Sequence, residues 1–263
     1  MTKRIFLMVV DSFGIGGATD ADKFGDLGSN TLSAIEKSKY FKADNLVKLG
    51  LKNIDGRSGG VDNPLSSYAR LKELSNGKDT TLGHWEIAGI VSTQPLPTYP
   101  NGFPIELISE FERLIGTKTI CNKPYSGTEV IKDYGAEHLR TGYPIVYTSQ
   151  DSVFQIACHD KVTPIETLYN YCEIARKLLT GKHSVGRVIA RPFTGDFPFV
   201  RTAYRKDYSL LPPAKTMLDT IKEKGLSVIS VGKIYDIFCG QGITESYKTR
   251  SNADGYSVCK ELL

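Results

Sequence analysis

The segment Lys78–Glu86 combines side chains that covalent catalysis could use. It reads Lys-Asp-Thr-Thr-Leu-Gly-His-Trp-Glu, so two hydroxyls follow a carboxylate and a helix is predicted from Gly83 to Ile90. A short alcohol on a loop before a helix is a common position for a nucleophile, because the helix N-terminus then faces any bound anion. A threonine hydroxyl is a weak nucleophile until a base or a metal ion activates it. The segment predicts Thr80 as the nucleophile and leaves its activator open.

Asp11 is a second candidate, because it directly follows the apolar run at positions 4–10. That run predicts a buried inner strand, and ligands of open α/β sheets bind beyond the carboxyl ends of such strands. The following Gly14 and Gly16 lack a third glycine at the spacing that dinucleotide binding requires. Asp11 is therefore either a metal ligand or a turn-forming residue, and its surroundings favour the turn former by roughly two to one.

A third group combines the segment Tyr147–Ser152 with three arginines, Arg187, Arg191 and Arg201. Arginine binds phosphate through two parallel hydrogen bonds, and a carboxylate such as Asp151 binds sugar hydroxyls. Together these residues could hold a sugar phosphate. Scattered surface salt bridges are the alternative, and the spacing alone leaves that alternative slightly ahead.

The sequence offers little other support for a metal site. It has four histidines and no His-x-x-x-His, and its five cysteines contain no Cys-x-x-Cys. Asp79 and His84 share a segment, but a hydrogen-bonded loop carboxylate is the more common role for Asp79, by roughly three to one. An odd number of scattered cysteines favours free thiols in a reducing compartment, so we expect a cytoplasmic protein.

Composition excludes several classes of function. The 263 residues are 40% hydrophobic and 24% charged, with a net charge of +4. No apolar run approaches the ~20 residues of a membrane span, and no block of Lys and Arg indicates nucleic-acid binding. We therefore expect neither a membrane nor a nucleic acid as partner.

Two proline-rich stretches, Pro95–Pro104 and Pro212–Pro213, predict crossings between domains. The resulting division is a core domain at 1–95, an inserted domain at 96–212 and a return to the core at 213–263. Caps and periodicity predict the following helices: 30–37 after Asn30, 44–49 after Asp44, 104–115 before Gly116, 163–179 with a capping box, 214–224 before Gly225, and one from Ser251. Strands are predicted at 4–10, 117–121, 145–149, 153–157, 186–191 and 226–231.

Longer strings are distributed over the whole chain: Arg4–Leu7, Asp11–Ser12, Gly14–Gly16, Phe24–Ser29, Gly77–Thr80, Gly83–Glu86, Asn122–Pro124, Ser126–Glu129, Tyr147–Ser149, Asp151–Val153, Val185–Phe193 and Val231–Ile234. Through these strings the chain resembles the phosphopentomutase family of the alkaline phosphatase superfamily. The resemblance implies an α/β fold in which an alkaline-phosphatase-like core is interrupted by an inserted α/β cap domain. It also implies interconversion of ribose or deoxyribose 1-phosphate and 5-phosphate.

The resemblance further implies two Mn²⁺ ions and a bisphosphorylated sugar as activator. Thr80 matches the position that carries the transferable phosphate, and Asp11 and Thr80 match metal-binding positions. The pair of cations would activate the threonine oxygen and stabilise the charge that develops during transfer. Positions that hold the pentose phosphate are matched by Ser149, Asp151, Arg187, Arg191, Arg201 and Lys233.

Two departures from the family pattern stand out. Leu82 replaces a hydroxyl residue that often precedes the Gly, which removes one possible loop hydrogen bond. The sequence also has no Asp-His-Gly, the string that brings further metal ligands in the family. One carboxylate and one hydroxyl cannot hold two Mn²⁺ ions. We therefore expect an incomplete core, whose missing half a separate chain would supply.

Two functions follow for the isolated chain. It is either an inactive fragment of a mutase or a non-catalytic sugar-phosphate binder that keeps the cap site. A phosphatase of the same superfamily is disfavoured by the strings around Ser149 and Arg191, since the cap domain is what distinguishes these relatives.

Overall fold

The computed structural model describes residues 4–11 and 13–263. Ser12, which belongs to one of the family-like strings, lies outside the described residues. The chain forms two compact units, one that ends at Leu74 and one that comprises Ser75–Leu263. The predicted domain boundaries near positions 95 and 212 stay predictions.

The apolar run at positions 4–10 does not form the predicted strand, and it is exposed. The exposed fraction is 95% for Ile5 and 65% for Leu7. A strand needs a partner backbone to pair its N–H and C=O groups, and the described residues up to Leu74 form no strand that could supply one. The prediction of a buried inner strand at this place was therefore wrong for this structure.

The first unit is built from short helical segments around few buried side chains. Asn30 caps α1 by accepting a hydrogen bond from the Ser33 N–H at 2.9 Å, as its residue type predicted. Asp44 was expected to be a cap but is the first residue of α2, and the preceding Ala43 offers no side-chain acceptor. The helical segments are Ala21–Phe24 (3₁₀), α1 Thr31–Ile35, α2 Asp44–Lys48 and Leu51–Gly56 (3₁₀).

Gly50 follows α2, and two physical reasons require a glycine at this position. Its φ of 109° lies in the region that favours glycine, and a Cβ at this position would come 2.5 Å from the Tyr68 ring. A side chain there would therefore be strained twice over.

One mixed sheet organises the second unit. Its β1–β2 and β3–β4 pairs are parallel, whereas β2–β3, β4–β5 and β4–β6 are antiparallel. The carboxyl ends of β1 and β2 therefore share one edge with the amino ends of β3 and β4. The strands, in spatial order with β6 beside β4, are β1 Ile120–Pro124, β2 Ile145–Thr148, β3 Val153–His159, β4 Arg187–Thr194, β5 Val200–Arg201 and β6 Lys206–Ser209.

Helices cover both faces of this sheet, which gives an α/β architecture. The helices of the second unit are α3 Thr80–Ile87, α4 Ile105–Ile115, α5 Glu129–Thr141, α6 Ile165–Leu178, α7 Met217–Glu223, α8 Ile234–Ile237 and α9 Asn252–Glu261, with a 3₁₀ turn at Gly181–His183. On one face Val146 packs in a buried cluster with Phe111 of α4 and Leu168 of α6. On the other, Ile145 packs with Val130 of α5. Successive residues of β2 thus contribute to opposite layers of the core.

Terminal signals in the sequence located most of these helices. Pro104 and Gly116 flank α4, and Ser251 caps α9 through the Asp254 N–H at 3.2 Å. In the described part of the chain, the capping box expected at Thr163 does not form, because Pro164 occupies the cap position of α6 and has no side-chain acceptor. A capping box does form on α7, where Thr216 and Asp219 exchange hydrogen bonds.

A small parallel pair, β7 (Ile229–Val231) and β8 (Glu245–Tyr247), lies outside the large sheet. It follows α7 and precedes α9 in the chain. Among the described residues, no helix is long and apolar enough to cross a bilayer.

Candidate active site

Helix α3 begins at the candidate nucleophile itself. The Asp79 Oδ1 accepts a hydrogen bond from the Thr81 N–H at 2.7 Å, which makes Asp79 the N-cap and Thr80 the first helical residue. Buried Leu82 and Trp85 pack this helix into a cluster with Phe238. The predicted start at Gly83 was wrong, because the acidic cap lies four residues earlier. Thr80 therefore has the fixed backbone of a capped helix and is not part of a preceding loop.

The neighbouring His84 does not serve as a base for the Thr80 hydroxyl. Its Nδ1 lies 2.7 Å from the Thr80 carbonyl oxygen and 3.4 Å from the Thr80 Oγ1. A carbonyl oxygen only accepts, so the shorter contact requires a proton on Nδ1 that is donated to the backbone. A protonated Nδ1 has no lone pair with which to take the hydroxyl proton. The activator of Thr80 must come from elsewhere.

Arg187 connects this helix to the sheet edge. It is the first residue of β4, and its Nη2 lies 3.2 Å from the Asp79 Oδ2. Two further carboxylates lie nearby, Asp151 at 3.9 Å and Asp207 at 3.8 Å. The Asp79 side chain is 2% exposed and that of Arg187 is 12% exposed, so this ion pair is shielded from water.

A cavity of about 290 Å³ lies at the same edge. It is formed where strand ends converge, since β1 and β2 end there and β3 and β4 begin there. Its lining residues are Tyr125, Ser126, Gly127, Ser149, Asp151, Val153, Gln155, Arg187, Ile189, Arg191, Arg205 and Lys233. Among the residues that the structure describes, this lining has four cationic side chains and one carboxylate, which suits an anionic ligand with hydroxyl groups.

The structure brings most of the predicted substrate residues together around this cavity. Ser149, Asp151, Arg187, Arg191 and Lys233 all line it. Arg201 is not a lining residue, but its Nε donates to the carbonyl oxygen of Gly127, which lines the cavity, at 3.1 Å. These residues are therefore gathered at one place, where Arg187 also forms ion pairs with Asp79, Asp151 and Asp207.

Several lining residues were missed by sequence reasoning. Gln155 accepts a hydrogen bond from the Arg191 Nε at 3.1 Å, and Arg205 forms two hydrogen bonds of 2.7 Å to Asp207. Tyr125 and the two residues after it follow β1 as Ser149 follows β2. That parallel placement was the available signal, but β1 was predicted three residues too early in the chain.

The arginines at one end of the cavity repel one another. Burial lowers the pKa of Arg191, and the charges of Arg205 and Arg201 lower it further, while Tyr147 acts in the opposite direction. Burial also raises the pKa of Tyr147, whose hydroxyl has no hydrogen-bond partner within the described part of the chain. An anion placed here would relieve the repulsion between the guanidinium groups. This end of the cavity is therefore suited to a phosphate.

The described residues contain no grouped set of metal-ligating side chains. Asp11 is exposed and belongs to the first unit, whereas Thr80 belongs to the second. Within residues 4–11 and 13–263, no three His, Cys, Asp or Glu residues are grouped so that they could hold a metal ion. The ligand set expected for two Mn²⁺ ions is thus not met by the described residues.

Comparison with known proteins identifies the family. No protein-family model matches the chain. It is 60% identical to a phosphopentomutase of Lachnoclostridium phytofermentans over 257 residues, which are 96% of this chain and 66% of that protein. It is 56% identical to a phosphopentomutase of Clostridium novyi and 54% identical to one of Caldanaerobacter subterraneus, in each case over 100% of this chain and 68% of the relative.

The α/β fold, with a cationic cavity that contacts the capped helix of Thr80 through Arg187, has the features of a phosphate-binding protein. The identities go further, and the chain belongs to the phosphopentomutase family, a family of isomerases. It spans about two thirds of the length of these curated relatives.

Proposed function

We propose that this chain carries the sugar-phosphate site and the phosphate-accepting threonine of a phosphopentomutase. The reaction is the interconversion of ribose or deoxyribose 1-phosphate and 5-phosphate. One observation carries the proposal: the cationic cavity is connected to the helix of Thr80 through the 3.2 Å contact between Arg187 and Asp79.

The two ends of the cavity differ in charge, and this difference suggests how the ligand lies. Arg187 faces three carboxylates, so most of its charge is already compensated. Arg191 is paired with the neutral amide of Gln155. We assign the phosphate that the sugar already carries to the Arg191 end of the cavity, and the sugar hydroxyl groups to the end of Asp151. The reacting hydroxyl then points toward Thr80.

In the proposed transfer, a phosphoryl group moves between the Thr80 Oγ1 and a hydroxyl of the sugar. The bond from phosphorus to the threonine oxygen breaks while a bond to the sugar oxygen forms, and the proton of the sugar hydroxyl replaces the phosphoryl group on threonine. A second transfer from the other phosphate of the sugar restores the phosphothreonine and releases the isomer. This route explains why a bisphosphorylated sugar would act as activator.

The described residues do not supply the ligands that two Mn²⁺ ions need. In the family the two ions would activate the threonine oxygen. We propose that their remaining ligands come from the part of the relatives' length that this chain does not span, supplied in this protein by a longer polypeptide or by a separate chain. The alkaline-phosphatase-like core and its inserted cap are proposed on the same basis of family membership.

A second candidate is a non-catalytic binder of pentose phosphates. The observation that favours it is the contrast between a formed cavity and the lack of a metal-ligand group among the described residues. We place either protein in the cytoplasm. The five free cysteines are in keeping with a reducing compartment.

Calorimetric titration with ribose 5-phosphate tests the site. Replacement of Arg191 by alanine should weaken binding by about tenfold or more, because hydrogen bonds to charged groups contribute roughly 1.5–3 kcal/mol. Arg113→Ala is the matched control, since that arginine is 67% exposed and pairs with Glu110 on α4. EDTA should leave binding by this chain unchanged. Equal affinities of the Arg191 variant and the wild type would refute the assigned site.

An activity assay tests whether this chain alone is sufficient for the reaction. The chain is incubated with Mn²⁺, a sugar bisphosphate and ribose 1-phosphate, and formation of ribose 5-phosphate is followed. We expect binding without turnover. Turnover by the isolated chain would contradict the proposal that further metal ligands come from elsewhere, and it would exclude the non-catalytic binder.

A further inference from the structure

We propose that Asp79 is a positioning residue that couples occupancy of the sugar-phosphate cavity to the order of the helix that begins at Thr80. The inference rests on the proposed function of that cavity. It assigns a role to a carboxylate that neither contacts the cavity directly nor belongs to the expected metal ligands.

Each oxygen of the Asp79 carboxylate has its own partner. Oδ1 accepts from the Thr81 N–H at 2.7 Å, and Oδ2 accepts from the Arg187 Nη2 at 3.2 Å. The first N–H groups of a helix have no acceptor within the helix, so the Thr81 N–H depends on this cap. Because a carboxylate is rigid and planar, a displacement of Arg187 changes the cap hydrogen bond as well.

The surroundings leave this carboxylate little room to reorient. The Asp79 side chain is 2% exposed. Gly186, just before Arg187, lies so close that a Cβ there would come 3.4 Å from the Asp79 Oδ1 and 2.8 Å from the Leu96 Cδ1. Ser152 also fixes the backbone here: its Oγ accepts a hydrogen bond from the Gly186 N–H at 3.2 Å and donates one to the Pro97 carbonyl oxygen at 2.5 Å.

The consequence is a reciprocal coupling between two places in the site. A sugar phosphate in the cavity is bound best when Arg187 is in the position that Asp79 holds. Linkage then requires that the bound ligand also favours the intact cap on α3. Thr80 is therefore most firmly placed when a substrate is present to react.

The replacement Asp79→Asn separates the two contacts. Asparagine is as good an N-cap as aspartate, so the hydrogen bond from the Thr81 N–H is kept. Its amide nitrogen faces Arg187 as a donor, so the second contact is lost. We expect ribose 5-phosphate affinity to fall by about tenfold, because Arg187 is no longer held in the position that binds the ligand.

Hydrogen exchange at the Thr81 amide is the readout that a merely structural role would not move. In the wild type, saturating ribose 5-phosphate should slow exchange of this amide several-fold. In Asp79→Asn and in Arg187→Gln the slowing should disappear. Asp219→Asn is the matched control: it removes a helix-cap carboxylate of α7 in the same unit and should keep both the affinity and the slowing.

The outcomes distinguish this inference from the proposed function. If ribose 5-phosphate binds the wild type and the Asp79 variant equally, or binds without slowing exchange at Thr81, the coupling is refuted and the site stands. If the wild type does not bind, the proposed site is refuted. A double-mutant cycle of Asp79→Asn and Arg187→Gln on urea unfolding tests the Asp79–Arg187 contact without a ligand, and additive effects would refute that contact and with it the coupling.

Discussion

Leu82 fixes the helix that begins at Thr80, and its truncation to alanine should destabilise the second unit in a measurable way. The Leu82 side chain is 1% exposed and packs in a cluster with Trp85, Ile237 and Phe238. Gly77 has no side chain that could fill a void there, and a Cβ on it would already lie 2.7 Å from the Leu82 Cδ1. The site therefore has little capacity to collapse around a smaller residue.

The expected size of the effect follows from this packing. Truncation of a buried leucine costs about 3 kcal/mol when the cavity cannot collapse. A denaturant slope of roughly 2 kcal/mol per molar urea, in the usual range for a domain, converts this loss into a midpoint about 1.5 M lower.

The chain supplies its own probe for this measurement. Trp85 is the single tryptophan of the sequence and is 2% exposed in the same cluster. Its emission should shift to longer wavelength when the cluster opens to water. Because Trp85 belongs to the second unit, its emission reports on the packing of that unit.

The control is Leu226→Ala, because that leucine follows α7 in the same unit and is 59% exposed. Its midpoint should lie close to that of the wild type. If Leu82→Ala kept a midpoint within about 0.5 M of the wild type, the packing described for α3 would be refuted.

Two further predictions concern pH and the cavity wall. Burial lowers the pKa of His138 from 6.5, and its Nε2 accepts from the His159 N–H at 2.9 Å, so the folded state binds fewer protons than the unfolded one. The contribution of neutral His138 to the free energy of unfolding should be fully present above pH 6.5 and be lost as the pH falls below that value. The urea midpoints of the wild type at pH 7.5 and pH 5.5 should therefore differ more than those of His138→Gln. Gly127→Ala should weaken ribose 5-phosphate binding in calorimetry, because its Cβ would come 2.5 Å from the Arg201 Nη2; an unchanged affinity would contradict this account of the wall.

Local signals predicted the elements whose ends are set by nearby residues. The helix α4 was located because Pro104 precedes it and Gly116, with φ of 73°, ends it. Strands β2 and β3 were located because continuous apolar runs are bounded by polar turns. In these cases the information lies within a few positions of the element itself.

Long-range pairing explains what the sequence could not predict. The run at positions 4–10 has the composition of a strand, but a ladder needs a partner that the described first unit does not provide. The start of α3 was misplaced because the sequence does not show that Asp79, rather than a later residue, would accept from the helix. Its second partner, Arg187, is 108 residues further along the chain.

The candidate site was predicted in part for the same reason. Family strings pointed to residues at the ends of β2 and β4, which the structure gathers around one cavity. Gln155 and Arg205 were missed because their contribution depends on the pairing of β3 and β6 with β4, and the direction of β3 relative to β2 cannot be read from composition. The expected metal site remains a prediction.

The connection between β2 and β3 has a consequence for how this site can be altered. The strands are antiparallel and are joined by the four residues at positions 149–152, two of which, Ser149 and Asp151, line the cavity. A hairpin this short sets the register of both strands, so an insertion would shift side chains from one face of the sheet to the other. A change of sugar specificity at this turn should therefore come from substitutions at positions 149–152, because an insertion or deletion would change the register of the two strands.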